Sequence, residues 1–221
     1  HITPIAILQP VHLAGTTVKR ASLHNFSELT KKDIRIGDTV QVQKAAEIIP
    51  EVIAVNSSKR PANAIIITEP TECPVCQSPA IRLGDEIALR CSQPNTCPAQ
   101  RVEQLTHWAA KSALDMDGIG PALIEQLYES KLLNTPADLY RLTREQLQSL
   151  PRMAEKSAKN AYQSIQASKN PVLWRFINAL GIPGIGKETA MSLAGNFGSI
   201  EKLVQADIDA LQMIDGIGAK L

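Results

Sequence analysis

Four cysteines fall in one short window of the 221-residue chain, Cys73, Cys76, Cys91 and Cys97, separated by two, fourteen and five residues. A Cys-x-x-Cys knuckle sets two thiolates on one tight turn, and a second pair returning after a short hairpin completes a tetrahedron suited to Zn²⁺. With sulfur in all four positions there is no opening for water or substrate, so the metal is expected to be structural. Two disulfides or a redox Cys-x-x-Cys would need different surroundings. The first thirty residues lack the blocks of a signal peptide, and no strand-helix-strand pattern brackets Cys73 and Cys76. A module this small has little core of its own, so metal binding should supply much of its folding free energy.

A second pattern repeats four times. It runs Asp117-Gly118-Ile119-Gly120, Pro151-Arg152-Met153-Ala154, Pro183-Gly184-Ile185-Gly186 and Asp215-Gly216-Ile217-Gly218, with steps of 34, 32 and 32 residues. Gly-apolar-Gly suits a hairpin between two helices, the apolar residue pinning the turn into the core. Without Cβ atoms the glycines can take backbone angles that other residues avoid. They also let a phosphate oxygen reach the amides at the positive end of the second helix. Such a hairpin grips backbone and not bases, so binding would be independent of sequence. A helical solenoid of tetratricopeptide type shares the period but needs no paired glycines at its turn. In the degenerate second copy Arg152 stands in the first glycine position, where a guanidinium could take over an amide's contact with phosphate.

These residues need elements to position them. From Arg101 onward the chain reads helical, with apolar spacing such as Leu123, Ile124, Leu127 and Tyr128, whereas residues 1–72 read as short strands broken by turns. Runs at 39–43, 52–55 and 65–67 suggest a small barrel, OB-like or SH3-like on composition alone. Only 4% of residues are aromatic, which favours several small domains over one deep core. No apolar run approaches the length of a membrane span, so a cytoplasmic protein without membrane contact is expected. Basic and acidic residues balance throughout: 8 to 7 over 1–72, 2 to 2 over 73–100, 9 to 8 over 101–170 and 4 to 5 over 171–221. A phosphate binder with so little cationic excess must rely on backbone amides and a few placed basic side chains.

The stretches Thr3-Pro4-Ile5-Ala6, Gln9-Pro10-Val11, Ala14-Gly15-Thr16-Thr17-Val18, Ala21-Ser22-Leu23-His24-Asn25, Arg35-Ile36-Gly37-Asp38 and Ile48-Ile49-Pro50 resemble, in this order, the OB domain of bacterial NAD-dependent DNA ligases. The cysteine window, with Cys97-Pro98-Ala99-Gln100, is similar to that family's zinc module, and four hairpins come next in it. The resemblance covers essentially the whole chain. It departs at Ala45-Ala46-Glu47, where the family shows Ala-Gly-Asp.

The resemblance implies a multidomain fold: an OB-fold β-barrel over 1–72, a short four-cysteine zinc finger over 73–100 and an all-α helix-hairpin-helix domain over 101–221, its fourth hairpin truncated. It further implies the C-terminal DNA-binding portion of a ligase that seals nicks in replication and repair, gripping nicked duplex as a nucleoid-associated monomer. Contacts are expected from Gly118, Gly120, Arg152, Gly184, Gly186, Gly216 and Gly218, with Lys44, Ile48 and Ile49 of the OB domain. In the family a lysine of Lys-x-Asp-Gly takes AMP from NAD⁺. No Lys-x-Asp-Gly occurs in these residues, so NAD and Mg²⁺ would enter only through a catalytic domain and the fragment alone would be inactive. The rival reading is a stand-alone helix-hairpin-helix scaffold of a repair or recombination complex; a zinc-ribbon factor of transcription or translation is a weaker third.

Overall fold

The computed structural model describes residues 1–45, 49–84 and 86–218, and falls into two compact units, 1–97 and 98–221. In the first unit, β1 (Ile5–Leu13) and β2 (Thr16–Ser22) form a hairpin. Its turn residues Ala14 and Gly15 both lie at positive φ, 46° and 74°, the geometry that matches the twist of a two-residue hairpin. The register of β1 shifts between Ile7 and Val11. Pro10 lies in that stretch, and proline, having no N–H, is tolerated at such irregularities. After α1 (Phe26–Lys31) and β3 (Arg35–Ile36) come β4 (Val40–Ala45) and β5 (Ile49–Val55), antiparallel to each other, and then β6 (Ile65–Ile66), paired with β3. The main sheet runs β1-β2-β5-β4, with β2 and β5 parallel, and curls over Ala21, Leu23, Leu29, Ile34 and Val52.

The sequence reading of strands only over this stretch omits α1. Asn25 caps that helix, its Oδ1 accepting from the Glu28 N–H at 2.8 Å, and Phe26 and Leu29 bury beneath the sheet. The loops beyond are tied by Arg60, whose Nε donates to Asp38 Oδ1 at 2.8 Å and whose Nη1 pairs with Asp33. This guanidinium holds the Asp38 carboxyl below the ordinary carboxylate range.

The cysteine segment forms a small ribbon, β7 (Ala80–Ile81) against β8 (Arg90–Cys91). Gln77, at φ 59°, turns the first knuckle, and the Cys73 N–H donates to the Ser78 carbonyl at 2.8 Å.

The second unit is helical. A first group comprises α2 (Pro98–Ala109), α3 (Pro121–Glu129), α4 (Pro136–Leu139), α5 (Arg144–Gln148) and α6 (Glu155–Ala167). A second comprises α7 (Leu173–Ala179), α8 (Lys187–Phe197), α9 (Ile200–Gln205) and α10 (Ile208–Gln212). Each has its own apolar core: Leu105, Ile124, Leu127, Leu147 and Ile165 among others in the first, and Ile177, Ala190, Leu193 and Ile214 in the second. Among the described residues no helix is long and apolar enough to cross a membrane.

Candidate nucleic-acid interface and metal centre

The four cysteine sulfurs converge. All lie within 4.8 Å of one another, with Cys76 and Cys91 at 3.4 Å and Cys73 and Cys97 at 4.0 Å. Disulfide sulfurs would sit about 2.05 Å apart, whereas a tetrahedron with zinc-sulfur bonds of about 2.3 Å has edges of about 3.8 Å. The cluster fits zinc. Ser78 hydrogen-bonds lower the Cys76 thiol to about 6, while burial pushes Cys91 up to about 11. Thiols this crowded resist sharing four negative charges, and a bound dication supplies the compensation. The Gln93 N–H already points at Cys91 Sγ, 3.4 Å away, in the manner of an amide steadying a metal thiolate.

The four hairpins share one backbone construction. In each, the central apolar residue donates its N–H to the carbonyl three residues back: Ile119 to Met116, Met153 to Leu150, Ile185 to Ile182 and Ile217 to Ile214, at 3.0 to 3.2 Å. The residue before it is always left-handed, with φ of 78° at Gly118, 82° at Gly184, 85° at Gly216 and 61° at Arg152. The second copy thus keeps its turn although its glycines are gone.

The two glycines of each motif do different work, which corrects the expectation that both relieve an unusual backbone angle. Gly120 and Gly186 are the N-caps of α3 and α8 and have ordinary extended φ, −92° and −90°. A Cβ at either would meet nothing within 4 Å. Neither conformation nor crowding demands glycine there; what glycine provides is an approach to the helix N-terminus clear of any side chain.

That N-terminus stands out by comparison with its neighbours. Thr143 and Gln146 cap α5 reciprocally, Ser199 accepts from the Lys202 N–H at 3.3 Å, and Asp207 accepts from the Ala210 N–H at 2.8 Å. At α4, Asp138 accepts from the N–H and hydroxyl of Thr135, bonds that hold its carboxyl below the usual range. Helices α3, α6 and α8, which leave the hairpins, begin instead at Gly120, Ala154 and Gly186, and no side chain caps them; α7, after Val172, also lacks a side-chain cap. In α3 the first residue is Pro121, without an N–H, and the Leu123 N–H donates to the Gly120 carbonyl at 3.1 Å; the other amides of these first turns carry the positive end of the helix dipole.

In the OB unit, of the other expected contacts, Lys44 lies in β4 and Ile49 begins β5. Ile49 is 61% exposed, unlike a core isoleucine. Lys44 is half-buried, its Nζ 3.3 Å from the Ala14 carbonyl. Ile48 lies outside the described residues. His24, with φ 60°, turns its Nε2 to within 2.7 Å of Glu51 Oε2, and Gln43 holds the other carboxylate oxygen at 2.8 Å. The structure also brings to the hairpins three residues that the sequence did not single out, Trp174, Arg175 and Lys187. Lys187, directly after Gly186 in the sequence, was the available signal.

Fold and site together define a zinc-stapled OB unit joined in one polypeptide to tandem helix-hairpin-helix pairs. Residues 1–64 match the NAD-dependent DNA ligase OB-fold domain and 72–99 that enzyme's C4 zinc finger domain. Residues 111–167 match a SAM-like helix-hairpin-helix tandem and 175–221 a helix-hairpin-helix motif. Over this span the chain belongs with the NAD-dependent DNA ligases, as their OB-fold, zinc-finger and helix-hairpin-helix portion. It is 45% identical over 217 residues to a DNA ligase of Marinobacter nauticus and 47% identical over the same length to one of Cellvibrio japonicus, matching 98% of this chain and 32% of each relative. A DNA ligase of Limosilactobacillus reuteri is 47% identical over 218 residues. The chain therefore spans about a third of the length of these relatives.

Proposed function

We propose that this chain is the DNA-gripping portion of an NAD-dependent DNA ligase that seals nicks in duplex DNA during replication and repair. The observation that carries the reading is the set of helix N-termini behind the hairpins that no side chain caps, whereas α5, α9 and α10 of the same unit are capped by their own Thr, Ser and Asp side chains. Phosphate oxygens of the backbone would fill those positions. Gly118, Gly120, Gly184, Gly186, Gly216 and Gly218 present the amides, Arg152 adds a guanidinium at the second turn, and Lys44, Ile48 and Ile49 add a contact from the OB unit. Nothing in this arrangement reads a base edge, so binding is independent of sequence.

The family's chemistry supports a division of labour. Zinc, held by Cys73, Cys76, Cys91 and Cys97, folds the module at 73–100 between an OB domain at 1–72 and a hairpin domain at 101–221. Nucleotide transfer needs the lysine of Lys-x-Asp-Gly, which these 221 residues lack. The polypeptide on its own binds nicked duplex as a monomer in the cytoplasm, at the nucleoid, without taking up AMP. Titrations against nicked duplexes of different base composition, run beside an adenylation assay with labelled NAD⁺, test this. Similar affinities for all duplexes and no covalent label are expected. Strong base preference, or label on the protein, would overturn it.

A further inference from the structure

Helix α7 lies between the two hairpin pairs in sequence, and its polar side chains are committed to the segment that leads into the first hairpin. Arg175 Nη1 donates to the carbonyls of Lys111 and Ala113 at 2.9 and 2.8 Å, and Nη2 lies 3.5 Å from Asp115 Oδ2. Asn178, only 5% exposed, donates from Nδ2 to the Ser112 carbonyl at 2.9 Å, and its own carbonyl meets His107 Nε2 at 2.8 Å. Asp115 has a left-handed backbone, φ 55°, and the next residue, Met116, supplies the carbonyl that closes the first hairpin turn.

The same guanidinium reaches toward the third hairpin. Arg175 Cζ stands 4.8 Å from the centroid of the Trp174 ring, and Lys187 Nζ stands 5.7 Å from it. Lys187 is the first residue of α8, next to Gly186. The contacts thus run from Asp115, three residues before Gly118, through Arg175 and Trp174 to Lys187, which follows Gly186.

We propose that Arg175, with Trp174 as its platform, is a positioning residue that couples hairpin 1 to hairpin 3, so that the two grip one duplex at a fixed separation. This rests on the reading of the hairpins as phosphate grips. A guanidinium satisfying two carbonyls in its plane while stacking on an indole is a role that lysine, a single point of charge, does not reproduce. Without the coupling each hairpin still folds and still binds phosphate, but the second contact no longer gains from the first.

A double-mutant cycle tests it. Gly120→Asp and Gly186→Asp, singly and together, are measured for affinity to a nicked duplex in the parent and in Arg175→Lys, with thermal melts of every variant. In the parent the two losses should be coupled, the double variant binding little worse than either single. In Arg175→Lys affinity should drop about tenfold and the two losses become additive, with the melt little changed. Trp174→Phe, which keeps an apolar ring in the core, should weaken the coupling in the same direction, so the proposal stays testable if Arg175→Lys folds poorly. Unchanged coupling in both variants, or affinity loss that only tracks lost thermal stability, would assign Arg175 a purely structural role. Glycine variants that bind like the parent would overturn the phosphate reading and the coupling with it.

Discussion

Arg152 shows how one residue can keep a motif's geometry while abandoning its composition. At φ 61° it occupies the left-handed turn that the other three copies give to glycine. That conformation costs a non-glycine residue about 1–2 kcal/mol, and glycine would return about 0.5–1 kcal/mol of that through its larger entropy loss on folding. Arg152→Gly should accordingly leave stability unchanged or raise it by at most about 1.5 kcal/mol. DNA affinity should nonetheless fall severalfold, because the proposed function sets this guanidinium against phosphate. Chemical denaturation paired with a binding titration checks both, and a variant that binds as well as the parent would make Arg152 a passive turn residue. In the sequence Arg152 and Ala154 read as a decayed repeat. Only the backbone shows that the second turn is intact, because the Leu150 carbonyl and the Met153 core contact that hold it do not depend on glycine.

At the scale of elements, the zinc ribbon and the OB loops are held by different forces and should fail under different conditions. The ribbon has two short strands and a core made largely of cysteine, so chelation should unfold 73–97 selectively and release about one zinc per chain. Metal analysis with proteolysis of the chelated protein reads this; a fold indifferent to chelator would contradict it. The OB loops depend on Arg60 and Asp38, and the Asp38 side chain is 1% exposed. Its carboxyl is held below its ordinary value near 3.8. Its contribution is therefore fully present above the unfolded value and lost as pH falls through the lower, folded one. Asp38→Asn should destabilise the unit near neutrality and flatten its acid denaturation, which urea midpoints taken from pH 3 to 7 would show. Strands β4 to β6 were legible because β-branched runs alternate or cluster between turns. Helix α1 was not: six residues give too few turns for a period to emerge, and its signal was Asn25 followed three residues later by Glu28. The cysteine site was legible almost whole, since ligand chemistry fixes both residue type and spacing.

Across the whole molecule, near-neutral charge and amide-based gripping have a joint consequence for salt. Few lysines and arginines displace few condensed counterions, so log affinity against log salt should have a slope shallower than about −5. A steeper slope would point to a cationic field that the sequence does not contain. The glycines at positions 120 and 186 carry the central claim, and their open surroundings make the test clean. Aspartate is a favoured N-cap and its Cβ would meet nothing at either site, so Gly120→Asp and Gly186→Asp should leave stability unchanged or raise it by a few tenths of a kcal/mol. The new carboxylate would occupy the amides that phosphate needs. The decisive measurement is the affinity of Gly186→Asp for nicked duplex beside its thermal midpoint. A loss of about tenfold or more at an undiminished midpoint is predicted; parent-like affinity at that midpoint would contradict phosphate capture by the hairpin helices.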